Sequence, residues 1–159
     1  MKITPILYTT LLLSQTSCSM AGQLPSTTAL TEQQQFLLKS VQQTPFSAVV
    51  NITDVSIRPV DDDPDMVWHI FSATVISPVR GSSPNTLRFA MVVEKEEEAI
   101  IPDKPVLLTL CTARNLAVDT DFYWPGTGAM FEARPELVEQ AIKAAKGLAS
   151  EQTDFAQCD

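Results

Sequence analysis

Leu87-Arg88-Phe89-Ala90-Met91-Val92-Val93-Glu94 is the stretch that decides the fold class. Leu87, Phe89, Met91 and Val93 alternate with Arg88, Ala90, Val92 and Glu94, and successive side chains of a strand point to opposite faces. The stretch therefore reads as a strand with one core-facing side. Working outward, Met66 to Ile76 carries Val67, Trp68, Ile70, Phe71, Val75 and Ile76, a second strand covered on both sides over part of its length. Ala48 to Val60 is β-branched and forms a first strand. Pro78, Gly81, Ser82, Ser83, Pro84 and Asn85 mark a turn. Beyond the deciding stretch, Glu94 to Glu98 is a charge run that reads as a solvated loop, because like charges repel out of packed structure. Val106 to Cys111 is a short apolar strand; Phe122-Tyr123-Trp124, a turn at Pro125-Gly126-Thr127-Gly128, and a last strand from Ala129 to Ala133 follow.

Helices flank this run of strands. Thr31-Glu32-Gln33-Gln34 offers a capping box, and a helix to about Gln43 presents Leu30, Phe36, Leu37, Leu38 and Val41 as an apolar stripe before Pro45. A closing helix starts near Pro135 and runs to about Ala149, with Leu137, Val138, Ala141, Ile142, Ala145 and Leu148 on one side.

The N-terminus carries an export address. Lys2 precedes the apolar run Ile3 to Leu13, and the chain then turns small and polar through Ala21, the layout of a secretory signal peptide. Ser19 and Ala21 supply small residues for cleavage before Gly22. The alternative is lipidation at Cys18, where Thr16-Ser17-Cys18 resembles the end of a lipobox although Gln15 departs from its aliphatic position. The first route places the protein in the periplasm or outside the cell. The second makes it an outer-membrane lipoprotein, the only route here to a membrane. Either route leaves Cys111 and Cys158 as an even pair, and an exported pair points to a disulfide.

Five or six short strands between two amphipathic helices predict a mainly β fold: a small antiparallel OB-like barrel, closed or nearly closed because closure removes aggregating edges. The expected organisation is a signal peptide over 1–21, a polar lead and N-terminal helix over 22–46, the barrel core over 47–133, and the C-terminal helix with a disulfide-tied tail over 134–159. Phe71-Ser72-Ala73-Thr74-Val75-Ile76-Ser77-Pro78-Val79-Arg80-Gly81 resembles the Phe-x-Ala-x-Val and Lys/Arg-Gly element of netrin-module and metalloproteinase-inhibitor type OB barrels. That resemblance, over residues 47 to 133, implies an OB-like barrel with its C-terminal helix tied on by a disulfide. The inhibitors' N-terminal Cys has a counterpart only in a chain lipidated at Cys18, so their activity is not carried over.

At 45% hydrophobic and 19% charged, a chain of 159 residues is one globular domain. Its formal net charge of −8, which loss of Lys2 takes to −9, argues against nucleic acid. One His and three Cys leave little for a His-based relay or for a zinc site of Cys and His alone. His69, between Trp68 and Ile70 in a strand, reads as a packed histidine, and no G-x-S-x-G, S-x-x-K or H-E-x-x-H motif occurs. No cofactor and no metal are expected. Asp61, Asp62, Asp63 and Asp65 fall between the first two strands, and Tyr123 and Trp124 between the fourth strand and Gly126. In an OB-type barrel those two connections flank one surface, so these residues form the expected binding face, suited to a basic protein or other cationic ligand through ion pairing and cation–π contact. The expected function is a non-enzymatic, exported cell-envelope binding module working through its barrel loops. The alternatives are an acidic inhibitor or protective protein against a basic secreted enzyme, and a small carboxylate-based hydrolase.

Overall fold

The computed structural model describes residues 30–158 except 83, 127 and 150; the leader and Cys18 lie outside the described residues. Helix α1 (Glu32–Gln43) begins at the expected capping box: Gln34 N–H donates to Thr31 Oγ1 at 3.2 Å, and Thr31 N–H donates to Gln34 Oε1 at 2.8 Å. Strands β1 (Phe46–Val60) and β2 (Asp63–Arg80) form one long antiparallel hairpin around a turn at Asp61-Asp62. Strand β3 (Thr86–Glu94) pairs antiparallel with β2, and β4 (Val106–Thr112) pairs antiparallel with the first five residues of β1. The two-residue strand β5 (Phe122–Tyr123) bridges β3 and β4 and closes the ring β1-β2-β3-β5-β4-β1. Strand β6 (Met130–Glu132) lies beside β5 on the same edge of β4, and helix α2 (Pro135–Lys146) follows. The fold is mainly β, an OB-like ring flanked by two helices.

Several expectations are corrected in detail. The ring is not antiparallel throughout, because β3 and β5 run parallel. Strand β2 extends past both of its expected ends, so Asp63 and Asp65 belong to the strand and only Asp61 and Asp62 turn. Pro78 is accommodated inside β2 opposite Ala48, beside a register shift. Helix α2 stops at Lys146, with Gly147 at its C-cap.

Two apolar layers share β4, whose residues Val106 to Cys111 are all buried. Val106, Leu108 and Leu110 point into the ring with Phe46, Ala48, Val50, Ala73 and Leu87, while Leu107 points outward with Val49 to meet Leu37 and Val41 of α1 and Leu137 and Ala141 of α2. A strand covered on both faces loses its polar alternation, which explains the continuous apolar run. Beyond Val50, β1 passes register shifts, leaves β4 and continues with β2 alone, so among the described residues one edge of residues 51–60 has no strand partner.

The C-terminal tail is fastened twice. Cys158 is bonded to Cys111 of β4, their Cα atoms 5.4 Å apart. Arg80, at the end of β2, donates from Nη1 to the carbonyls of Val41 (2.6 Å) and Gln42 (2.9 Å) and from Nη2 to Gln152 Oε1 (3.0 Å), with Phe155 under its guanidinium. Helix α1 has no basic residue in its own last turn, so Arg80 satisfies orphan carbonyls that no α1 side chain reaches.

Two predictions follow from this scaffold. Cys111 and Cys158 should resist alkylation until reduced, and reduction should lower the unfolding free energy by about 4 kcal/mol on the chain-entropy model, read by urea melts with and without reductant. At Gly81, with φ +82°, an added Cβ would stand 2.5 Å from the Pro45 carbonyl oxygen, whereas at Gly126, with φ +110°, it meets nothing within 4 Å. Gly81→Ala should therefore cost stability near the upper end of about 1–3 kcal/mol and Gly126→Ala near the lower end, as compared by thermal unfolding.

Candidate functional site

Because β5 reaches only Phe89 and Ala90 of β3, the last residues of β3 pair, among the described residues, with β2 alone, and the ring stays open there. A cavity of about 240 Å³ occupies this seam. Its floor comes from the inward-facing residues of adjacent strands: His69 and Phe71 of β2, and Phe89 and Met91 of β3, which stand opposite them as the pairs His69–Met91 and Phe71–Phe89. Ile52, Trp124 and Met130 add to the wall, and Glu97, Glu98 and Ile100 of the β3–β4 connection form the rim.

Aromatic packing holds the floor rigid. Phe71 and Phe89 stack with centroids 5.0 Å apart, and Trp124 stacks on Phe89 at 6.2 Å. Trp124 is pinned from two sides, its N–H donating to the Ala90 carbonyl at 2.8 Å and its indole N–H to the Gly126 carbonyl. His69 is packed, as expected, at 2% exposure with its ring edge-on to Phe71 at 6.2 Å. Its Nε2, however, is buried with no hydrogen-bond partner among the described residues. An orphaned buried nitrogen costs on the order of 1–3 kcal/mol, so it calls for an explanation.

The expected binding residues do not gather into one patch. Tyr123 and Trp124 are neighbours on an extended segment and face opposite ways. Trp124 walls the barrel cavity, and Tyr123 lines a separate one of about 290 Å³ with Arg114, Phe155 and Cys158. Asp61, Asp62, Asp63 and Asp65 lie at the hairpin tip, and the seven steps along β2 from Asp63 to Ile70, which pairs with Ala90, span roughly 23 Å. The tip adjoins a different element instead. Lys95 N–H donates to the Asp65 carbonyl at 2.8 Å and Met66 pairs with Glu94, so these four aspartates and the exposed Glu94, Glu96, Glu97 and Glu98 make one acidic end. The charge run is solvated, as its composition implied, and it also supplies the cavity rim.

Among the described residues, no three His, Cys, Asp or Glu side chains cluster as a metal-binding group, and no helix is long and apolar enough to cross a membrane. Compared with protein-family models, with curated proteins and with solved structures, the chain finds no match.

The orphaned nitrogen makes the character of His69 testable. His69→Leu should leave the unfolding free energy within about 1 kcal/mol of the parent or raise it, since it removes an unsatisfied polar atom. Phe89→Ala, by contrast, should lower it by about 3–5 kcal/mol. Urea denaturation of the two variants checks both. A large loss for His69→Leu would make the imidazole a structural element.

Proposed function

We propose that this protein is an exported, non-enzymatic binding module that takes its ligand in the open seam of its barrel. The observation that carries the reading is the apolar cavity framed by Phe71, Phe89, Met91 and Trp124, into whose wall a buried imidazole with an unpartnered Nε2 is built. An apolar pocket with a few convergent polar groups is the usual form of a small-ligand site. A single imidazole backed by Phe71 and Met91 suits a ligand contact better than an acid–base relay, which needs a second group to orient the ring. Export to the periplasm or beyond is supported by the leader-like N-terminus and the disulfide. Kinship with netrin-type barrels belongs to the same proposal, supported by the five-strand ring and the disulfide-tied C-terminal tail.

The test uses phenethylamine, whose ring suits the aromatic floor and whose ammonium suits the Glu97 and Glu98 rim. In ¹H–¹⁵N spectra, millimolar phenethylamine should shift the amides of His69, Met91 and Trp124 together, and Met91→Trp, which fills the cavity, should abolish the response. Shifts scattered over the surface, or unchanged by Met91→Trp, would remove the seam as the site.

The acidic end favours a second reading, an inhibitor or protective protein that docks on a basic secreted enzyme. Eight carboxylates converge there with Lys95 among them, and such a field steers cationic partners at low salt. Replacing Asp61, Asp62, Asp63 and Asp65 with Asn should slow association with poly-L-lysine at low ionic strength. The difference should vanish at 1 M salt, where the screening length is about 3 Å. Stopped-flow mixing at the two salt levels reads it, and equal rates for parent and variant at low salt would remove the acidic tip as a docking element.

A further inference from the structure

Taken as a donor set, the seam holds three soft or borderline ligands around one void: the His69 imidazole and the thioethers of Met91 and Met130. His69 and Met91 are directly opposed across β2 and β3, which brings their Cβ atoms to about 4.5–5.5 Å on the same face. Met130 comes from β6 on the far lip of the seam and is 39% exposed, unusual for a large apolar side chain beside a cavity. Trp124 presents its indole to the same void, and an aromatic face attracts a cation. The oxygen and thiolate donors that divalent ions prefer are poorly represented, with Glu97 and Glu98 confined to the rim and the described cysteines locked in the disulfide. Thioether and imidazole without thiolate is chemistry that selects soft monovalent ions over zinc, magnesium or calcium.

We propose, resting on the seam as the binding site, that its ligand is a soft monovalent metal ion, Cu(I) or Ag(I), held by His69 Nε2 and the sulfurs of Met91 and Met130 beneath Trp124. The proposal accounts for the orphaned Nε2: an imidazole nitrogen with no hydrogen-bond partner among the described residues is open to a metal ion. Access to it requires the unbranched side chains of Met91 and Met130 to turn toward the ion, and methionine's three rotatable bonds let them do so. Glu97 and Glu98 at the rim raise the local concentration of any cation without coordinating it.

The experiment titrates the oxidised protein with Ag(I) in chloride-free buffer, a redox-inert probe, and repeats it with Cu(I) in ascorbate against a chromogenic Cu(I) chelator. The parent should take up one equivalent with submicromolar affinity. Its indole emission should be quenched, a quench lost in Trp124→Phe, because Trp68 packs with the separate Ile70, Ala90 and Val118 cluster. Met91→Leu and Met130→Leu should each weaken uptake at least tenfold, and equimolar Zn(II) should not compete. As a readout that needs no variant, the methyl resonances of Met91 and Met130 should shift on adding Ag(I) while that of Met66 stays put. Absence of saturable uptake, or Met91 and Met130 methyls that do not respond, overturns the proposal. If phenethylamine still perturbs the seam in that case, the binding-module reading survives and only the metal assignment falls; if neither probe responds at the seam, both fall.

Discussion

Everything distinctive about this barrel depends on the brevity of β5. A two-residue strand can bridge β3 to β4 only at one level, so the ring is sealed there and left open toward the end of β3. At the sealed level Phe46 and Phe122 stack with centroids 4.3 Å apart, filling the bore. At the boundary between the two levels, the stack of Phe71, Phe89 and Trp124 closes the core from the side, and the void lies above it. A longer β5 would pair the rest of β3 and bury Met91 against β6, and the seam would then be ordinary core. The cavity is thus a consequence of strand length rather than of any special loop.

The fastening of the tail complements this opening. Arg80 gathers the C-terminal carbonyls of α1, Gln152 and the ring of Phe155 into one contact, and the disulfide anchors the last described residue to a fully buried position on β4. Helices and tail therefore brace the barrel on the β4 side, where Leu107 meets Leu37 and Leu137, and leave the seam uncovered. Partial burial pulls the Arg80 guanidinium below its ordinary value, yet its role as a donor to carbonyls needs only that it stay charged, which so strong a base does.

Much of this architecture was legible in the sequence because periodicity and capping are local. The alternation at Leu87 to Val93, the capping box at Thr31 and Pro135 at the start of α2 each name an element from its own residues, and the structure has those elements. The ends of β2 were not legible, since Pro78 and the aspartates look like turn residues until the bulge and the two-residue turn are seen. The candidate site was mostly hidden. Asp61 to Asp65 and Tyr123-Trp124 stood out by composition, but which of them face each other depends on strand register. His69 carried a faint signal: it shares the inward phase of Phe71, Ala73 and Val75. That it faces Met91, and that Glu97, Glu98 and Met130 surround the same void, follows only from pairings distant in the chain.

The unpaired edge of β1 has a bearing on solubility. Among the described residues no strand pairs with this edge from residue 51 to residue 60, so it offers backbone donors and acceptors to an extended chain, including another copy of itself, and such edges seed fibrous assembly. Asp54, Arg58 and Pro59 interrupt it, and the carboxylates at its tip repel an approaching duplicate. On this view the crowd of acidic side chains keeps the long hairpin solitary, quite apart from anything it attracts. Acidification, which neutralises carboxylates, would then be the condition under which these molecules begin to stack edge to edge.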